Sequence, residues 1–193
     1  TGNMANAKNH EELTGEVWTI GQTMQAAIGQ SDSVFTPLQL AEYCAAVANN
    51  GERHSASILK SIRNYDYSEK VYERQDEVLS TVESPQYNWD AIHEGMKEVI
   101  NSPLNETNYL NFYDCAVTVA GKTGTAQKGE GIKNDGLFIC YAPYEDPEIA
   151  VAVVVERGHA GASVGFIARQ IVDVYLNIRS YSNTSESEMS LLK

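Results

Sequence analysis

The sequence predicts an α+β (mixed α/β) fold in which an antiparallel sheet packs with helices. Three observations carry that prediction. Helical periodicity with well-formed ends marks two segments, one starting at Thr36 and one near Asn88. Three strand-like runs follow between Cys115 and Val155, and their short connections suit antiparallel neighbours. A further amphipathic segment, from about Ser163 to Ile178, reads as a last helix.

Each element has a local reason. Thr36 is a good N-cap, Pro37 suits the first helical position, and Gln39 completes a capping box. Leu40, Cys44 and Val47 then share one helical face, and Asn49-Asn50-Gly51 stops the helix, with Gly51 able to turn left-handed. Residues 55–82 are charged and mix strand-like with loop-like stretches. The second helix is expected from Asn88 to Ile100, with Trp89, Ile92, Met96, Val99 and Ile100 on its apolar face and Ser102-Pro103 ending it.

In the second half, Cys115, Val117 and Val119 alternate with smaller or polar residues and lead into Lys122-Thr123-Gly124-Thr125 on one strand. A Gly-rich loop from Lys128 to Asn134 separates it from the strand Leu137–Tyr141. The turn Ala142 to Pro147 leads into Ile149–Val155, whose apolar residues on both faces predict a central, buried strand. Gly158 to Gly161 form a turn, Ser163 is placed to cap the last helix, and Phe166, Ile167, Ile171, Val174, Tyr175 and Ile178 form its apolar face. The domain is expected over 1–179, with 180–193, rich in Ser, Asn and Glu, as a disordered tail.

Charge and composition narrow the function classes. The 193 residues carry 14 basic against 26 acidic side chains, a net charge of -12. That balance argues against a nucleic-acid partner and against adhesion to an anionic membrane surface. No apolar run is long enough to span a bilayer, and the polar opening from Thr1 to His10 reads as the continuation of a longer chain, placing any membrane anchor upstream. The three cysteines are odd in number and show no CxxC spacing, which indicates neither a zinc site nor a disulfide framework. Cys44 reads as a core residue, while Cys115 and Cys140 lie in neighbouring strands where a bridge stays open to them. His10, His54, His93 and His159 do not fall at metal-ligand spacing, so no metal and no cofactor is expected.

A bare Lys-Thr-Gly is a weak signal, but here it lies on a strand followed by two more strands and a helix. Its flanks add to it: Ala27-Ile28-Gly29-Gln30, Phe35 to Ala41 (FTPLQLA), Ala48-Asn49-Asn50-Gly51, Ala120 to Gln127 (AGKTGTAQ), Tyr141-Ala142-Pro143 and Ile167 to Ile171. Together these segments resemble class B penicillin-binding proteins from about Ile20 to Leu176. Ser31, where that family usually has Gly, and Leu137, where it often has an aromatic residue, depart from the pattern.

The resemblance implies the C-terminal part of the serine β-lactamase/transpeptidase-like fold and acyl transfer through a serine ester. The substrate would be a peptidoglycan stem peptide ending in D-Ala-D-Ala, and β-lactams would mimic it. The resemblance assigns Lys122 and Thr125 to catalysis and Thr123, Gly124 and Thr125 to substrate binding, with the Thr125 N–H as half of an oxyanion hole. Substrate would add to the strand edge as an extra strand, because Lys122 and Gly124 point to one face and Thr123 and Thr125 to the other. The implied location is the extracytoplasmic face of a bacterial cell membrane.

The family's S-x-x-K and S-x-N motifs belong upstream of Gly29-Gln30, and no nucleophile is assigned within this chain. Ser57 to Lys60 and Ser190 to Lys193 spell S-x-x-K, and Tyr181-Ser182-Asn183 spells a Y-x-N variant, but all three are out of order and read as coincidences. The chain is thus expected to be part of a catalytic domain, completed by an N-terminal part or self-associating through an exposed sheet edge. A non-catalytic interaction module with the same fold, and a β-lactam sensor or β-lactamase relative, are the alternatives. The Gly-Gln and Thr-Pro-Leu-Gln-Leu-Ala segments favour the transpeptidase over the last of these.

Overall fold

The structure is a computed structural model that describes residues 2–129 and 131–188, the last eleven by their backbone alone. Two short helices open it, α1 (Ala7–Thr14) and α2 (Ile20–Ala27), neither of which the sequence pattern signals. Their apolar residues Ile20, Met24 and Leu13 are exposed, so they stand on end-caps rather than on an amphipathic stripe. Asn6 caps α1 by accepting from the Asn9 N–H, and Gly15 ends it at φ 75°.

Helix α3 (Pro37–Ala48) forms as its capping signals predict. Thr36 Oγ1 accepts from the Gln39 N–H (3.2 Å), and the Thr36 N–H donates back to Gln39 Oε1 (3.0 Å). Cys44, Val47 and Ala48 are buried, and Gly51 takes φ 97° just beyond the helix. The charged stretch that follows forms β1 (Glu52–His54), β2 (Ser61–Arg63), β3 (Lys70–Glu73) and β4 (Val78–Thr81). These nest antiparallel, β1 with β4 and β2 with β3, and their side chains are mostly exposed.

Helix α4 (Gln86–Asn101) starts two residues before the expected Asn88, since Pro85 sets the first turn and its carbonyl accepts from the Asn88 N–H. It buries Trp89, Met96 and Ile100, whereas Ile92 stays half exposed. A short helix, α5 (Glu106–Phe112), lies in an Asn-rich stretch with no clear helical periodicity; Phe112 anchors it by stacking on Phe138 at 5.7 Å between ring centres.

Strands β5 (Ala120–Ala126), β6 (Asp135–Ala142) and β7 (Ile149–Val155) make an antiparallel meander in the order β5-β6-β7. The expectation that β7 is central is corrected for this chain: among the described residues β6 is the middle strand, as consecutive hairpins require. The double-sided apolarity of β7 has another cause. Helix α3 packs against it, and so does the last helix. Among the described residues its outer edge has no strand partner. The strand through Cys115 to Val119 is also corrected. The ladder begins at Ala120, opposite Tyr141, and the apolar residues before it enter the core from an irregular segment.

After β7 the chain makes a 3-10 turn, Gly161–Val164, and then α6 (Gly165–Glu188). Ser163 lies inside that turn and donates its N–H to the Ala160 carbonyl, so it does not cap α6 as expected. Val164, Ala168 and Val172 are buried in the core, whereas Phe166, Ile171 and Val174 are exposed. Small and β-branched residues fill this interface because the bulky Phe138 already occupies it. The helix continues past the expected end near residue 179, with no Gly or Pro to stop it; 189–193, including Ser190 to Lys193, lie outside the described residues, as do the side chains of Ile178 and of Tyr181-Ser182-Asn183. All three cysteines are free thiols, so the Cys115–Cys140 bridge does not form.

The sheet is thus covered on both faces. Phe138, Cys140 and Ala142 face Val164, Ala168 and Val172, while Ala120 and Tyr141 face Cys44, Val47 and Met96. Phe138→Ala, which empties the centre of the first cluster, is expected to cost about 3–5 kcal/mol, read as a lower urea midpoint with an unchanged slope.

Candidate active site

The Lys-Thr-Gly-Thr segment lies in the middle of β5, one edge of which pairs with β6 over seven register positions from Ala120↔Tyr141 to Ala126↔Asp135. In a strand, the N–H and C=O of one residue point to the same side, and that side alternates along the chain. The carbonyls of Val119, Thr123 and Thr125 accept from side chains of Asn101, Lys122 and Gln30. These odd-numbered residues therefore turn their backbone groups away from β6. The Thr125 N–H consequently points along the outer edge, with the Thr123 and Gly121 groups beside it.

The side chains alternate as the sequence predicts. Thr123 and Thr125 lie opposite Phe138 and Gly136, on the face covered by α6 and the 3-10 turn. Lys122 and Gly124 lie opposite Ile139 and Leu137 on the other face. Lys122 is exposed, and its Nζ donates to the Thr123 carbonyl at 2.8 Å, which holds the ammonium beside the outer edge. Thr125 Oγ1 accepts from the Gly161 N–H at 3.2 Å, leaving the hydroxyl proton for an outward acceptor. The four residues singled out from the sequence thus converge on one edge, with donors from backbone and side chain together.

Three supports come from outside the motif. Asp135, buried at the start of β6, pairs with Lys128 (2.6 Å) and accepts from the Arg157 N–H (2.9 Å), joining the loops after β5 and β7. Gly161 packs so close under β5 that an added Cβ would collide with the carbonyls of Gly124 and Leu137. Gln30 grips the far end of β5: its Nε2 donates to the Thr125 carbonyl (2.8 Å), and its Oε1 accepts from the Gln127 N–H (3.3 Å). Sequence reasoning quoted Gly29-Gln30 as part of a pattern but could assign Gln30 no role, since its partners lie 95 and 97 residues away. Ser31, the departure from Gly, takes φ 70°, a conformation that glycine adopts without strain.

Ser57 lies in an irregular link between β1 and β2, where its Oγ accepts from the Leu59 N–H (3.1 Å) and donates to the Leu59 carbonyl (3.2 Å). It is not at a helix start, as the serine motif requires. His159, near the site in sequence, is exposed and donates its backbone N–H to the Asn134 carbonyl.

A strand edge of this form, ending an antiparallel meander and flanked by a C-terminal helix, defines a class, and comparison with known proteins gives it a family. The sequence profile of the penicillin binding protein transpeptidase domain matches residues 1–173, and the chain belongs to that family. It is 33% identical over 180 residues to the peptidoglycan D,D-transpeptidase MrdA of Haemophilus influenzae, covering 84% of this chain and 27% of that protein. It resembles Pseudomonas aeruginosa PBP2, solved in complex with WCK 5153, with a TM-score of 0.74 and 29% identity over 91% of this chain and 38% of the other. Penicillin-binding protein A of Mycobacterium tuberculosis, solved as an imipenem acyl-enzyme, aligns with a TM-score of 0.69 and 28% identity over 80% of this chain and 34% of the other. The chain therefore spans only about a quarter to two fifths of these relatives.

Two outcomes follow from the supports. The Lys128 ammonium, and after it the Arg157 N–H, hold the Asp135 carboxyl below the usual carboxylate range. A depressed carboxyl contributes stability above its unfolded value, about 3.9, and loses it as the pH falls through the lower folded value. Asp135→Asn is expected to lower the melting temperature near neutral pH and to narrow its difference from wild type below about pH 4, read by thermal melts across that range. Gly161→Ala is expected to cost about 1–3 kcal/mol by forcing the turn off β5, measured by urea denaturation.

Proposed function

We propose that this chain supplies the substrate-binding edge of a peptidoglycan D,D-transpeptidase. The observation that carries the reading is the β5 edge, where the Thr125 N–H, the Thr123 and Thr125 hydroxyls and the Lys122 ammonium gather beside open backbone. The family match over 1–173 supports this reading.

In this reading a stem peptide ending in D-Ala-D-Ala lies along β5 as an added strand, and Gly124 lets it lie close. Its terminal carboxylate meets Lys122 and the Thr123 and Thr125 hydroxyls. A serine from the remainder of the domain attacks the carbonyl between the two D-Ala residues. The Thr125 N–H stabilises the oxyanion that develops. The C–N bond breaks, D-Ala leaves as the protonated amine, and an acceptor amine then displaces the serine from the ester. A β-lactam enters the same edge and stays as the ester.

No helix among the described residues is long and apolar enough to cross a membrane. Placement at the extracytoplasmic face of a bacterial membrane therefore rests on an anchor in the longer protein. The remainder of that domain would cover the outer edge of β7 and the exposed Phe166 and Val174. A chain without it is expected to self-associate through that surface.

Covalent labelling with a fluorescent penicillin, read by intact mass, tests the reading. The 193-residue chain alone is expected to form no adduct, and the longer protein one adduct per chain. In the longer protein, Lys122→Ala is expected to slow labelling at least roughly tenfold. A stoichiometric adduct on the chain alone would sink the assignment of the nucleophile to another segment and send peptide mapping to Ser57.

A further inference from the structure

Between α3 and α4 the chain runs out into two nested hairpins, and the outer one is unsupported. Strands β2 and β3 pair with each other and pack against no other helix or strand among the described residues. A lone two-stranded hairpin is marginal in water, and a third strand or a covering element makes such a unit stable. None of its apolar side chains is buried: Ile62 is 47% exposed, Val71 68% and Tyr65 101%. Large apolar side chains beside an open strand edge mark a surface that a partner covers.

The faces and the edge of the hairpin define the chemistry of that partner. Ile62 and Tyr72 are register neighbours on one face, and Lys60 and Arg74, one pair further along, share it. Arg63 and Lys70 lie on the opposite face. The Lys60 carbonyl accepts from the Arg74 N–H, and the Asn64 N–H donates to the Glu69 carbonyl. Ser61 and Arg63 therefore turn their backbone groups to the open side of β2. Arg74 ties the hairpin to its base through Ser55 Oγ at 2.7 Å.

Charge departs here from the rest of the chain. Residues 60–74 carry four basic and three acidic side chains, against 14 and 26 in the whole sequence. Two of those acids are committed locally. Asp66 accepts from the Ser68 N–H (3.1 Å) and hydroxyl (2.7 Å) in the turn, and Glu73 pairs with Lys70 at 2.5 Å. The Lys70 ammonium, with Lys60 and Arg63 adding to it, holds the Glu73 carboxyl below the usual carboxylate range. Among the described residues Lys60 and Arg63 make no ion pair, and Arg63 Nη1 donates to the neutral Tyr67 carbonyl at 3.1 Å.

We propose that the β2–β3 hairpin is a docking arm that takes an extended acidic segment of another protein as a third strand along β2. The backbone groups of Ser61 and Arg63 pair with it, its apolar residues cover Ile62 and Tyr72, and its carboxylates meet Lys60 and Arg63. Main-chain bonds supply affinity in such an addition, and the alternation of side chains supplies specificity. An acidic polysaccharide would use the cations but leave the apolar side chains and the open backbone unmet. The proposal goes beyond the transpeptidase reading and does not depend on it.

The test uses the full-length protein that contains this chain. The probe is a fluorescein-labelled peptide that alternates Glu and Val, titrated by fluorescence anisotropy. The same peptide with Lys in place of Glu, and poly-glutamate, are titrated beside it. The Glu peptide is expected to bind saturably, and the Lys peptide and poly-glutamate at least roughly tenfold more weakly. Lys60→Glu combined with Arg63→Glu is expected to reverse the preference toward the Lys peptide, while labelling by a fluorescent penicillin stays within about twofold of wild type. Hydrogen exchange of the β2 amides is expected to slow when the Glu peptide is added.

No saturable binding of the Glu peptide, an equal response to both peptides, or poly-glutamate binding as tightly would overturn the proposal. So would β2 amides already protected in the free protein, because the remainder of the chain or a second copy would then cover the arm. Where the double variant does not fold, the three titrations of the wild-type protein decide alone. A wild-type protein that takes no penicillin removes the transpeptidase reading and leaves these titrations to decide the docking arm.

Discussion

The pairing of β5 with β6 on one side only is the constraint from which the rest of the structure follows. Strand β6 is the middle of the meander and is buried on both faces, so it cannot shift without emptying two core clusters. Seven register pairs then place every residue from Ala120 to Ala126. A slip of one position would exchange the faces of Lys122 and Thr123 and turn the Thr125 N–H inward. The core is therefore the reason that Lys122, Thr123 and Thr125 present donors along a single edge.

The supports around that edge act at its ends, not at its centre. Gly121 lies against the Ile139 carbonyl and Ile100 at the start, and Gln30 occupies the backbone at the finish. Below the strand, the Gly161 turn bonds Thr125 and tolerates no side chain. Asp135 binds the loops that leave β5 and β7 into one unit. Between these ends the outer edge of β5 has no strand partner among the described residues, which suits a partner that adds as a strand.

Charge has a matching division of labour. The chain as a whole carries -12, yet the β5 edge holds Lys122, with Lys128 close after it. Lys128 is tied to the buried Asp135 and serves the fold. Among the described residues Lys122 reaches only a neutral carbonyl, which leaves its charge to an anion. A local cation in an acidic protein is a directional signal for a carboxylate, and mean composition conceals it.

The sequence by itself determined the helices with strong ends, the three-stranded meander, the family resemblance and the alternation of Lys122 and Gly124 against Thr123 and Thr125. These rest on caps, period and motif spacing, all of which act within a few residues. Tertiary structure decided the rest. Strand β7 is apolar on both faces because helices cover both, which a run of valines cannot distinguish from a central position. The face turned to the core carries Val164 of the 3-10 turn and Ala168 and Val172 of α6, while Phe166 and Val174 lie on the exposed side; the packing against Phe138 decides which side that is. Strand β5 begins at Ala120 because β6 ends opposite it, although apolar alternation runs back to Cys115. Gln30 meets β5 across 95 residues of chain, and only folding brings such partners together; local sequence carries the identity of the glutamine and nothing of the backbone it holds.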